Sequence, residues 1–316
     1  MQLYPLKFKP IYKHRIWGGQ KLREIFGKDI PPSEKIGESW ELADLPDDKS
    51  VIANGELAGQ TIDSVIAKYP KEIMGDKNFA GPFPLLIKFI ATEDVLSIQV
   101  HPDPQTCQRM LKGKPKTECW YIISADPGAV IYKGLKEGAT KKDFTRAIKN
   151  GGIAEVLAKI PVEAGQCHFL PAGTAHSVGA GLLIAEIQTP SDTTYRIFDW
   201  NRIDEQTGQP RELHIEEALE SIHFDMAGEK LPVTTIGRLV DCKYFKADKG
   251  HQPKNGQRLL SEGRMRVLII TSGAGKTLAA DGETVDFKAG DVLLIPAAYQ
   301  GTMSFAEDCE YLTVTI

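Results

Sequence analysis

Three short stretches of this chain set metal-ligand chemistry at strand spacing. In LSIQVHPD (96–103) a two-residue period puts Ser97, Gln99 and His101 on one face and Ile98 and Val100 on the other. Gln99 and His101 are then about 6.6 Å apart along the strand. In KTECWY (116–121) the same period places Lys116 and Glu118 together and turns Cys119 away. His176 follows the turn PAGT (171–174), where the backbone can bend and hold an imidazole inward. Two imidazoles, a carboxylate and an amide oxygen suit a borderline divalent metal, zinc first. A nitrogen–oxygen set without sulfur also tolerates Mn, Co or Fe. Each residue has an ordinary alternative. A lone strand histidine is more often hydrogen-bonded than ligating, and Glu118 beside Lys116 could be a surface pair worth about 1 kcal/mol or less.

A second group is cationic. Lys88 sits in LLIKFIA (85–91), a run too apolar for a free surface face, so its ammonium reaches either water at an edge or a polar cavity. Arg196 ends SDTTYR (191–196), ten residues after Glu186. With Lys116 these cations could hold an anionic ligand; taken singly, each is more simply a solvated or salt-bridged charge.

The elements that must position these residues are mostly strands. Apolar runs at 85–90, 95–100, 119–124, 129–132, 166–170, 182–188 and 195–199 are each bounded by Gly, Pro or Asp. Helical spacing appears at 61–68, at 215–222, and over 142–159, where Gly151-Gly152 divides two short helices. After about residue 230 helices fade. There 247–258 has the composition of an exposed loop, and 265–272, 275–279, 285–287, 291–295 and 309–315 read as strands of a second β unit. Residues 165–176 (GQCHFLPAGTAH) and 290–301 (GDVLLIPAAYQG) share a glycine, five residues and a proline. Either two related β-barrels are present, of which the first kept its ligand, or two turn–strand–proline segments coincide.

Composition excludes several classes. Lys and Arg total 38 against 42 for Asp and Glu, a net charge of −4 that argues against a nucleic-acid binder. No apolar run approaches the roughly 20 residues of a membrane helix, and the charged N-terminus lacks the apolar core of a signal peptide. Five scattered cysteines suit reduced thiols and a cytoplasmic location.

The string G-x5-P-x-G-x2-H (165–176) resembles the second motif of the cupin superfamily, whose small β-barrels hold a metal. With LSIQVHPD, KTE (116–118), PAGTAHSVGAG (171–181), SDTTYR, RIWGG (15–19) and GESWE (37–41), the whole chain resembles the type I phosphomannose isomerases in their short bacterial form. That resemblance implies a mainly β fold: two cupin-like β-barrels of jelly-roll type with a few accessory α-helices. A catalytic, metal-binding domain would span 1–230, and a C-terminal cupin-like domain without metal ligands 231–316.

The resemblance also implies one Zn2+ per chain, on Gln99, His101, Glu118 and His176. Arg196 and Lys116 would be catalytic, with Lys88, Glu38, Trp17 and Glu186 lining the substrate site. His168 is expected to be structural or to support the ligands. The longer relatives carry a histidine just before the KxE lysine; here Pro115 stands there, which excludes an imidazole base at that position. The implied reaction interconverts mannose 6-phosphate and fructose 6-phosphate through a cis-enediol, with Glu38 or Glu186 as the carbon base. The alternatives are another metal-dependent cupin enzyme or a sugar-binding cupin without activity. The expected partner is a small sugar phosphate, with neither nucleic acid nor membrane, on a monomer or homodimer.

Overall fold

The computed structural model describes residues 3–205, 207–260 and 263–316, and it is mainly β with short helices. By its internal contacts the chain divides into two compact units. One comprises Met1–Ile11, Trp40–Lys88 and Thr234–Ile316; the other comprises Tyr12–Ser39 and Phe89–Val233. Among the described residues, no helix is long and apolar enough to cross a membrane.

In the first unit, Arg266–Ser272 is apolar on both faces and buried nearly end to end, so it occupies the middle of a sheet. It pairs antiparallel with Val292–Ile295 on one side and Cys309–Thr315 on the other. A four-stranded sheet, in the order Gln257–Leu259, Gly301–Phe305, Ala274–Ala279, Thr284–Lys288, closes the same core. Leu268, Leu293 and Tyr311 from the first sheet pack there with Phe287, Met303 and Phe305 from the second. The polar stretch 247–258 is a loop only at its turn, 253–256. Lys246–Gln252 is a strand paired along its length with Cys309–Thr315, because ladder hydrogen bonds form whatever the polarity of the outward side chains. Its Gly250 lies under the Tyr311 ring, where a Cβ would come within 2.4 Å.

In the second unit a five-stranded sheet runs in the order Tyr195–Phe198, Ile98–Val100, His176–Val178, Val130–Leu135, Leu157–Pro161. Ile98, Val100, Tyr195 and Ile197 turn to one face and pack against Phe144 and Ala218 of the helices Lys141–Lys149 and Ile215–Ser221, and against Ile222 just after the second. Alternation then sends Gln99 and Arg196 to the other face. That face meets a sheet whose middle is Cys167–Leu170, Glu118–Ala125 and Leu182–Gln188, and Trp120, Ile122, Leu170, Leu182 and Ile184 close the core against Ile131 and Val178. The stretch 142–159 is helical only in its first half, which Thr140 and Asp143 cap reciprocally. After Gly151 (φ +73°) comes a single 3-10 turn, Ile153–Val156, and Leu157–Pro161 leaves as an edge strand paired with Val130–Leu135.

The two barrels expected from the repeat and the resemblance do not form. Each of the four sheets is open, its strand order running from one edge to another without the last strand pairing to the first. A barrel requires that closure. The alternation and turn signals specify strands and their inward faces, but nothing in them specifies closure.

Gly179 ends His176–Val178, and its N–H donates to Val130 O at 3.0 Å. A Cβ there would stand 2.2 Å from that same oxygen, so any side chain pushes the two strands apart. Gly179→Ala is expected to lower unfolding free energy by about 1–3 kcal/mol. A lower urea midpoint checks this; an unchanged one would show that the strand pair yields freely.

Candidate metal centre and active site

Strand register assembles the centre. His176 lies opposite Gln99 on one neighbouring strand and Lys133 on the other, and Gln99 lies opposite Arg196. Directly opposed residues share a face, so Arg196, Gln99, His176 and Lys133 form one row across four strands. His101 follows directly on Ile98–Val100, and Glu118 begins Glu118–Ala125 in the facing sheet.

Both imidazoles have their protons fixed by backbone carbonyls, which can only accept. His101 Nδ1 is 2.8 Å from Thr193 O, and His176 Nδ1 is 2.8 Å from Thr174 O. Each Nε2 therefore carries a bare lone pair. These lone pairs face a carboxylate: His101 Nε2 is 3.4 Å from Glu118 Oε2, and His176 Nε2 is 3.5 Å from Glu118 Oε1. Burial, then the charge of Lys116, pushes the His101 pKa down to about 3, and burial lowers His176 too. Both rings are thus neutral at neutral pH, with no proton to bridge to the carboxylate. His101 Nε2 and both Glu118 oxygens are buried without a hydrogen bond.

Such a set fits a cation. Donors about 2.0–2.1 Å from a tetrahedral metal stand about 3.3–3.4 Å from one another, which matches the 3.4 and 3.5 Å separations here. The Gln99 carboxamide lies beside the set, its Nε2 3.3 Å from His176 Nε2 while Ser97 Oγ donates to its oxygen. A half-turn of the amide exchanges its two atoms. His101, Glu118 and His176 are the metal-ligand cluster among the described residues.

Charge around the cluster keeps the carboxylate ionised. Burial alone would raise the Glu118 pKa, but the Lys116 charge beside it holds it well below its ordinary value. Lys116 Nζ is 2.9 Å from Glu118 Oε2, an ion pair off the line a hydrogen bond needs, and 3.6 Å from Glu186 Oε1. Glu186 Oε2 accepts from Trp120 Nε1 at 2.9 Å, and the Trp120 ring meets His176 edge-on at 5.3 Å.

The fold thus brings Gln99, His101, Glu118, His176, Lys116 and Glu186 together. Arg196 stands beside Gln99 in register; its Nη1 donates to Glu212 O at 2.8 Å, and its Nε is buried with no partner. Glu38 accepts from Arg15 Nε at 2.9 Å. Trp17 packs in the apolar cluster with Trp120 and Ile122. Lys88 is buried in the other unit, its ammonium 5.6 Å over the Trp40 ring. His168 is buried opposite Trp120, with Nε2 3.3 Å from Gln166 Oε1. Sequence reasoning missed Trp120, whose place on the Glu118 face the strand period does give. It also missed the Thr174 and Thr193 carbonyls, which have no side-chain signal at all.

Glu118→Gln removes the nearer partner of a buried ammonium. In metal-free protein this is expected to cost about 3 kcal/mol of stability, the low end for a broken buried pair because Glu186 remains. Chemical denaturation in chelator reads the loss; stability equal to that of the wild type would mean that Lys116 does not depend on Glu118.

Comparison with known proteins agrees with this geometry. The model of the family "Phosphomannose isomerase type I, catalytic domain" matches residues 5–119. A mannose-6-phosphate isomerase of Streptococcus mutans is 35% identical over 92% of this chain and 92% of its own length. The isomerase ManA of Bacillus subtilis is 35% identical over 94% of each. The crystal structure of a B. subtilis mannose 6-phosphate isomerase superposes with a TM-score of 0.89 at 30% identity, covering 99% of this chain and 100% of that one. Likeness of this degree, running from end to end, makes the chain a member of the type I phosphomannose isomerase family.

Proposed function

We infer that the chain is a zinc-dependent aldose–ketose isomerase that interconverts mannose 6-phosphate and fructose 6-phosphate through a cis-enediol. The observation that carries this reading is the lone-pair cluster of His101, Glu118 and His176, completed by Gln99 and flanked by Lys116 and Arg196. One Zn2+ held by these four residues would supply a Lewis acid for the sugar's carbonyl oxygen. Three neutral donors and one carboxylate leave the site net positive, which suits an oxyanion.

The chain's own groups do the rest. Lys116, held between two carboxylates, donates to oxygen as negative charge develops there. Arg196 offers its unpartnered Nε to an anionic oxygen and orients the sugar. A carboxylate moves the proton between C1 and C2. Glu186, 3.6 Å from Lys116 and beside the cluster, or Glu38, which accepts from Arg15, serves as that base. Pro115 leaves no imidazole beside Lys116 for the task. The machinery belongs to residues 1–230, and among the described residues 231–316 supplies no metal ligand.

A coupled assay for fructose 6-phosphate, run with and without chelator, tests the reading. His176→Ala is expected to lose both bound zinc and turnover while remaining folded; a metal-free, fully active variant would sink the zinc assignment. Arg196→Ala should retain one metal per chain and lose roughly 100-fold or more in kcat. Near-normal turnover would remove Arg196 from the chemistry.

A further inference from the structure

Arg196 is gripped from outside its sheet. The His214 N–H donates to Arg196 O at 2.7 Å, the Arg196 N–H donates to His214 Nδ1 at 3.3 Å, and the guanidinium Nη1 donates to Glu212 O at 2.8 Å. All three bonds require residues 211–214 to lie alongside Tyr195–Phe198, yet this segment belongs to no strand or helix. No ladder fixes it.

Asp199 fixes it instead. The carboxylate accepts from Arg211 Nε at 2.7 Å and Arg211 Nη2 at 2.5 Å, the two parallel bonds of a guanidinium fork. Its Oδ1 also accepts from Arg202 Nη2 at 2.6 Å. Arg202 in turn donates to Asp94 and to Val95 O, tying the clamp to the chain that leads into Ile98–Val100. Between Asp199 and Arg202 the chain turns through Trp200 and Asn201, both left-handed at φ +57°. Two consecutive non-glycine residues in that region are costly and persist only where the surroundings hold them. Here Trp200 Nε1 is bonded to Leu96 O at 2.7 Å.

We propose that Asp199 is a positioning residue for Arg196: through the Arg211 fork it fixes segment 211–214, which holds the guanidinium with Nε left over for an anionic oxygen of the substrate. This rests on the reading of Arg196 as part of the isomerase site. Asp199 is buried, and among the described residues no other carboxylate is hydrogen-bonded to Arg211. Arg211→Lys keeps the charge but loses the fork, so it should behave like Asp199→Asn.

A double-mutant cycle tests this. Turnover of mannose 6-phosphate and bound zinc are measured for Asp199→Asn, Arg211→Lys, Arg196→Ala and each paired with Arg196→Ala. Each clamp variant is expected to lose about tenfold in kcat, as a displaced charge-assisted contact would, while keeping its zinc. In the Arg196→Ala background neither should slow the enzyme further. Where Arg196→Ala is slow, penalties that multiply in the double variants, or clamp variants with wild-type kcat, overturn the proposal. Should Asp199→Asn fail to fold, Arg211→Lys carries the cycle.

If Arg196→Ala itself turns over normally, the catalytic reading of Arg196 falls and positioning is decided by NMR. The Arg196 Nε–H resonance, assigned by its loss in Arg196→Lys, should be dispersed in the wild type and move to the exposed-arginine position in Asp199→Asn. An unmoved resonance overturns the proposal.

Discussion

Bare lone pairs crowded together without a proton to share are the constraint on which the second unit is organised. Two carbonyls, of Thr193 and Thr174, claim the only N–H of each imidazole. What remains pointing inward is two nitrogens and two carboxylate oxygens, about as close as they would stand around a common ion. Without a cation this arrangement is repulsive, and the surrounding fold must hold it. Metal affinity is therefore stored in the packing, because the ligands need not be gathered when the ion arrives.

The packing that holds it is stiff because the strands that carry the ligands each turn apolar side chains into a core. Ile98 and Val100 are locked against the helices, so the register of Gln99 cannot slip by one without burying it there and exporting an isoleucine to the site. His176 is trapped between two neighbours, and Gly179 lets its strand approach Val130 as closely as a hydrogen bond allows. On the other side Glu118 is followed at once by the buried run from Cys119 to Ile122, which anchors the carboxylate at the mouth of a core strand. The same apolar cluster that excludes water also lowers the imidazole pKa values, so burial sets both geometry and protonation.

How far this could be read from sequence divides along physical lines. Gln99, His101 and Glu118 were legible because a two-residue period fixes which side chains share a face, whatever else the fold does. Their meeting with His176 followed from the motifs, not from any local rule. Closure of the sheets was not legible, since hydrogen bonding between first and last strands leaves no trace in local composition. Nor was the strand Lys246–Gln252, whose polar side chains imitate a loop while its backbone makes a full ladder. The carbonyls of Thr174 and Thr193 and the Asp199–Arg211 fork belong to a third kind. They depend on backbone position or on pairing across a loop, which a single sequence does not encode by spacing.

The choice of cation beside Glu118 follows from the same constraint. Left alone, the buried carboxyl would take up a proton, and a protonated acid is a poor metal ligand. A positive neighbour is therefore required, but it must not consume the oxygens that the metal needs. An arginine would lay its planar fork across both, one N–H to each oxygen. Lys116 is a single point charge, 2.9 Å from Oε2 and off hydrogen-bond alignment, so it lowers the carboxyl pKa while leaving lone pairs on both oxygens uncommitted. Its remaining field is shared with Glu186, which Trp120 holds from the other end. The ammonium is thereby kept central, and its N–H groups are not exhausted by either carboxylate. A group in that state can answer negative charge that develops on a sugar oxygen without surrendering the charge that holds Glu118 ionised.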